Sequence, residues 1–415
     1  MRTIQAVRGQ FPALAHPTVF LDNAGGSQLP AFVIDAASTY LRDSFVQTGA
    51  DYLRSRTATR TVAAAHQLAA TFLNAPADGS VILGASSTAL THLIANAMGD
   101  ALADGSLPPE RNELIVSSAG HEANVWPWAR LAARGFVIRW WHAAPDASGR
   151  WSLDMAALKA MLSPKTALVA FPQVSNVLGD VWDARHACEL AAAAGARSYV
   201  DGVAYAPHRL PDVQQMGCDW YVYSTYKVFG PHMAAVYGAG PAMAPLTGPN
   251  HPFIPKTHLP YKFELGGVNH EAAAMLAASG KYFSWLAGDD QAHDAPDRPT
   301  LQRAFDAIDA AETPLQEQLI SGLTRTPRIR LIGSDATDAS RVCTVSFVVS
   351  GESSAALARS LNAQDLGCRF GHFYSRRLVE QIGLNPDDGV IRVSLAHYNT
   401  PEEVDRVLTA LRALL

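Results

Sequence analysis

The chain has 415 residues, 48% of them hydrophobic and 17% charged, with a formal net charge of −5. That length and balance describe a globular chain of about two domains, with enough apolar residues to build its cores without staples. They exclude a basic nucleic-acid footprint, because no Lys/Arg cluster occurs, and no apolar run reaches the roughly 18 residues that a membrane span requires.

The first twenty residues, "MRTIQAVRGQFPALAHPTVF", lack the continuous apolar stretch of a secretion signal. From about residue 78 short apolar runs alternate with amphipathic or Ala-rich segments. "SVILG" (80–84) reads as a strand and "STALTHLIANAMGDALA" (87–103) as a helix. "ELIVSS" (113–118), "FVIRWW" (136–141), "TALVAFPQ" (166–173), "RSYVDG" (197–202), "WYVYS" (220–224) and "AAVYG" (234–238) continue the strand series, with helices near 154–162 and 184–194. Strands rich in Val, Leu and Tyr, separated by helices, argue for an α/β fold with a mostly parallel sheet of about seven strands covered on both faces.

The polar stretch "LAGDDQAHDAPDRPT" (286–300) breaks this pattern and marks an expected boundary. Beyond it a helix (about 300–323), "CTVSFVVS" (343–350), a helix at 353–362, "GCRF" (367–370), "VIRVSL" (390–395) and a closing helix from Pro401 describe a smaller α+β unit. The expected organisation is an N-terminal segment (1–25) packing with the small domain, a large domain (26–285) and a small C-terminal domain (286–415). Four scattered cysteines, Cys188, Cys218, Cys343 and Cys368, have no CxxC spacing, which fits a reducing, cytoplasmic setting.

Ligands of an open α/β sheet gather beyond the carboxyl ends of its strands. Ser87 and Thr88, His121, Asn176, Asp201 and Lys227 all follow strands there. A lysine in apolar surroundings loses its charge readily and becomes a nucleophile able to form a Schiff base. Asp201, ending the apolar run "YVDG", needs a cationic partner, and a protonated pyridine nitrogen supplies one. Ser86, Ser87 and Thr88 open a helix, where free backbone N–H groups favour a phosphate. Together these residues point to pyridoxal 5'-phosphate.

Seven stretches in order carry a resemblance over nearly the whole chain: "LDNAGGSQLP" (21–30), "HEANVWPW" (121–128), "VSNVLGD" (174–180), "VDGVAYAPH" (200–208), "STYKVFGPH" (224–232), "FELGGVNHE" (263–271) and "IRVSLAHYNTPEEVD" (391–405). The sequence resembles the class V aminotransferase family of fold-type I enzymes, in its cysteine desulfurase-like branch. The resemblance implies that Lys227 carries the cofactor and moves protons, that Asp201 holds the pyridine nitrogen protonated, and that His121 stacks on the ring while Asn176 reaches its 3-oxygen. It implies Ser87, Thr88, Ser224 and Tyr226 at the phosphate, with Gly267 offering only backbone. Arg392 is expected to take the α-carboxylate of an amino-acid substrate, with Arg369 as a second arginine. A homodimer with sites near its interface is implied as well.

Departures from the family pattern bear on the reaction. The desulfurase persulfide cysteine follows an "RxGxxC" pattern, and here "RFGHFY" puts Tyr374 at that position. "GHEANV" and "NHEAAA" lack the second histidine of a zinc HExxH motif, so no metal is expected. "GADYLRSRTATR" (49–60) and "RFGHFYSRR" (369–377) are the expected lining of the substrate side chain, through Tyr52, Arg54, Arg56, His372 and Tyr374. Three readings stay open: a lyase or desulfurase-type enzyme without a protein persulfide, a true aminotransferase, and a catalytically silent cofactor-binding subunit.

Overall fold

The computed structural model describes residues 2–146 and 149–415. Strands β1 (Ser80–Gly84), β2 (Glu113–Ser117), β3 (Val137–Trp141), β4 (Thr166–Pro172), β5 (Arg197–Asp201), β6 (Trp220–Ser224) and β7 (Ala234–Gly238) form one seven-stranded sheet in the order β1-β7-β6-β5-β4-β2-β3. The run β6-β5-β4-β2-β3 is parallel. β7 is antiparallel to both β6 and β1, because the short connection after Ser224 is a tight return rather than a helical crossover.

Successive strand residues point to opposite faces, so each strand feeds two cores. Val81 and Leu83, Val169 and Phe171, and Tyr221 and Tyr223 share one core with the helix Ala184–Ala193 and with α2 (Leu53–Leu73), α4 (His270–Leu286) and the first half of α5 (Arg298–Thr324), α1 (Ala31–Asp43) lying along α4. Ile82, Leu168, Ala170 and Val222 pack on the other face under α3 (Ser87–Ala103). Near-continuous burial on both faces is what a largely parallel sheet requires.

A second sheet, β8 (Ile329–Ile332), β9 (Thr344–Val349), β10 (Arg369–Gly371) and β11 (Val390–Ser394), is antiparallel throughout in the order β8-β9-β11-β10. Its core joins Val345, Phe347, Ile391 and Val393 to the second half of α5 and to α6 (Pro401–Leu414). The boundary expected at 286 coincides with the end of α4, yet α5 serves both cores: Leu301, Phe305 and Ile308 in one, Leu315, Leu319 and Leu323 in the other. The N-terminal segment is shared similarly. Val7 and Phe11 lie in the large core, while Val19–Phe20 pairs with Leu366–Gly367 and Asp22 bridges Ser394.

Within the stretch 49–60, α2 begins at Leu53 and the Tyr52, Arg54 and Arg56 side chains are exposed. Among the described residues no hydrogen bond or ion pair ties those three side chains to the strand-end cluster. No helix of the described residues is long and apolar enough to cross a membrane.

Candidate active site

Lys227 stands in a single helical turn, Thr225–Lys227, directly after β6. Its ammonium has no hydrogen-bond acceptor among the described residues. Burial and the nearby Arg392 guanidinium push it down to about 8, against the opposing pull of Asp201 and Asp22. About one-tenth of the side chain is therefore neutral, nucleophilic amine at pH 7, far more than for an ordinary lysine.

Asp201 ends β5 with one carboxylate oxygen accepting the Val203 N–H at 2.9 Å. The other oxygen has no protein donor among the described residues. Burial raises the carboxyl to about 6, even though Val203 and Lys227 favour its charged form. A carboxylate so placed, with no hydrogen-bonded cation among the described residues, could hold a protonated ring nitrogen.

His121 follows β2. Its Nδ1 accepts the Ala123 N–H at 3.0 Å, which puts the proton of the neutral ring on Nε2. Burial, followed by the charges of Lys227 and Arg392, lowers it to about 3, so the ring is neutral at physiological pH. At the sheet's other flank Ser224 Oγ donates to Ser87 Oγ at 3.3 Å. Thr88 is exposed in the first turn of α3, and the Tyr226 ring stacks on His232 at 5.0 Å. Gly267 holds φ +96° and lines a cavity with Gly84, Ala85 and Ala89 at the start of α3.

Two expected site residues are more heavily engaged than the sequence suggests. Asn176 donates Nδ2–H to the Phe373 carbonyl at 2.9 Å and accepts from Ser375 Oγ at 2.7 Å. Only its second amide hydrogen remains for a ring oxygen. Arg392 is not a free fork: Nη2 donates to Asp22 Oδ1 at 2.8 Å, Nη1 to the Asn176 carbonyl at 3.2 Å, and the guanidinium lies 3.8 Å from the centre of the Phe373 ring. Its Nε is buried without a partner. Arg369, paired directly opposite Arg392 across β10 and β11, reaches the other Asp22 oxygen at 3.5 Å. One carboxylate thus balances two guanidinium groups, and the surplus positive charge suits one further carboxylate.

Asp22 is the residue that sequence reasoning passed over. It lies inside "LDNAGGSQLP", and an acid directly after an apolar strand was the available signal.

Tyr374 is exposed, 5.2 Å from the His121 ring, at the end of a turn held by several contacts. Its carbonyl accepts Glu122 N–H, its own N–H donates to His372 Nδ1, and Arg377 pairs with Glu122. Phe373 and Tyr374 both take positive φ, +48° and +59°, a conformation that costs about 1–2 kcal/mol per residue. All four cysteines are buried, and burial holds the Cys368 thiol up at about 12.

A sheet with a lysine, a cation-seeking carboxylate, a hydroxyl pair and an arginine cluster at its strand ends defines a pyridoxal-phosphate type of site, and these residues fit that cofactor. Residues 19–296 and 300–407 match the aminotransferase class-V family, and the chain belongs to it. It is 38% identical over 421 residues to the aminotransferase-like protein FGM3 of Gibberella zeae, covering 100% of this chain and 98% of that protein. It is 31% identical to a cysteine desulfurase of Synechococcus elongatus, covering 99% of this chain but 63% of that enzyme's length. The cysteine desulfurase CsdA from Escherichia coli shares the fold with a TM-score of 0.82 at 25% identity, over 100% of this chain and 99% of that one.

Proposed function

We propose that this protein is a pyridoxal-phosphate-dependent enzyme that cleaves a Cβ–S or related bond of an α-amino acid without forming a persulfide on a protein thiol. The observation that carries this reading is Tyr374, exposed beside His121 where a desulfurase presents its cysteine, while all four thiols are buried elsewhere. When bound, the cofactor supplies an electron sink for charge developing at the substrate Cα.

The chain's own groups do the rest. Arg392, held by Asp22 and aided by Arg369, binds the α-carboxylate and fixes which Cα bond is aligned for cleavage. Lys227, neutral in part, removes the Cα proton. Asp201 keeps the ring nitrogen protonated, and neutral His121 covers the ring without adding charge. Ser87, Ser224 and Tyr226 hold the phosphate. In an elimination the Cα–H and Cβ–S bonds break, the Cα=Cβ bond forms and the thiolate leaves with a proton. In this reading the Tyr374 phenol donates that proton, and water then converts the enamine to pyruvate and ammonia.

An aminotransferase is the second reading, favoured by the name of the FGM3 relative. Incubation with cysteine and other β-substituted amino acids separates the two. Sulfide and pyruvate without added keto acid support the lyase, whereas strict dependence on a keto-acid acceptor eliminates it. Borohydride reduction of the cofactor-loaded protein is expected to leave the cofactor mass on the peptide containing Lys227. A silent subunit would acquire that mass yet turn over none of the substrates.

We also propose a cytoplasmic homodimer. Ile34, Leu41, Phe45, Leu53 and Phe253 are exposed apolar side chains of the kind that a second copy can cover. Sedimentation at micromolar concentration tests it.

A further inference from the structure

The phosphate cradle expected from the sequence consists of hydroxyl groups and backbone, whereas a phosphate monoester carries about −1.5 to −2 charges at neutral pH. The geometry points to His232 as the N–H-donating side chain that completes this cradle; the inference rests on the cofactor reading above.

Strand register makes the argument. Ala234 of β7 lies between Ser224 of β6 and Gly84 of β1, antiparallel to both. Just beyond these paired ends the chains leave the ladder: Tyr226 lies in the Thr225–Lys227 turn, Ser86 caps α3, and His232 meets the Tyr226 ring. The ladder continues partway toward them, with Thr225 N–H donating to the Met233 carbonyl at 2.9 Å. The Ser224–Ser87 hydroxyl pair marks the same rim.

The ring of His232 lies nearly parallel to that of Tyr226, 18° apart with centroids at 5.0 Å. Tyr226 is backed on its other side by Gly26, where a Cβ would come within 3.4 Å of the phenol ring. His232 separates two cavities of about 360 and 470 Å³, one running along the start of α3 to Gly267, the other past Ser27 and Tyr226. Among the described residues neither is lined by a lysine or arginine, and His232 lines both. The acid nearby, Glu264, is already taken by His66 at 2.7 Å and the Leu83 N–H. Neither ring nitrogen of His232 has a protein partner among the described residues. Stacking orients the exposed ring and leaves a ring N–H free to donate.

The test compares pyridoxal phosphate with pyridoxal, which lacks the phosphate. The apoprotein is titrated with each while the absorbance of the Lys227 adduct is followed. His232→Ala is expected to weaken pyridoxal phosphate about ten- to hundred-fold, the worth of one hydrogen bond to a charged group, and to leave pyridoxal within about two-fold. His232→Asn, which keeps an N–H donor, is expected to recover part of the loss. Unchanged phosphate-ester affinity in His232→Ala overturns the proposal. So does an equal loss for both ligands, which would assign His232 to packing of Tyr226. If the unmutated protein shows no adduct with either ligand, the cofactor reading itself fails, an outcome distinct from both.

Discussion

Removing Asp22 is the sharpest test of the arginine cluster. Asp22→Ala deletes the partner of two guanidinium groups in different surroundings. The Arg392 side chain is 4% exposed and bonds Asp22 at 2.8 Å, while that of Arg369 is 58% exposed and 3.5 Å away. Breaking a buried pair costs about 3–5 kcal/mol because a charge is left without compensation. Asp22 itself is one-fifth exposed, so water enters in its place and the lower end, about 3 kcal/mol, is expected. The exposed Arg369 arm contributes below about 1 kcal/mol. Two double-mutant cycles, Asp22→Ala with Arg392→Ala and Asp22→Ala with Arg369→Ala, separate the arms. Urea unfolding of the apoprotein at pH 7 provides the readout, with two spectroscopic probes required to coincide. A coupling of about 2–3 kcal/mol is expected for the first pair and less than about 1 kcal/mol for the second. A coupling to Arg369 equal to or larger than that to Arg392 would refute the reasoning.

Asp201→Asn is expected to stabilise the apoprotein while weakening the cofactor. The folded protein holds the Asp201 proton up to about pH 6, against 3.8 without burial, so the cost of ionising it grows as pH rises between those values. Above that window the cost is about 3 kcal/mol, and thermal unfolding across pH 4–8 should show the variant's advantage opening over the same range. A pH-independent difference would contradict it. Tyr374→Cys is expected to gain one fast-reacting thiol, because Tyr374 is exposed and the native cysteines are buried. Rapid labelling of the unmutated native protein would disprove the burial argument.

Local patterning made much of the large sheet legible. β6, β7 and α3 span the predicted residues, since apolar runs bounded by turn residues and a serine before an amphipathic stretch are properties of neighbouring residues. The start of α2 was not assigned from the sequence: its Thr57, Thr59 and Thr61 are modest helix formers, and in the helix each hydroxyl bonds the carbonyl four residues back. The antiparallel course of β7 was likewise not evident from its apolar run, which fits either direction.

The proposed site residues were legible in the sequence because each follows an apolar strand, where a lysine or aspartate is costly without a partner: Lys227, Asp201 and His121 stand out in this way. Which groups satisfy one another was decided only in three dimensions. Asp22 and Arg392 lie 370 residues apart, and they meet because Asp22 bridges Ser394 on the strand where Arg392 faces Arg369. Asn176 is drawn into the 373–375 turn by the same closure of the small sheet onto the large one. Pairing of this kind depends on register between distant strands, and a residue's neighbours in sequence carry no record of it.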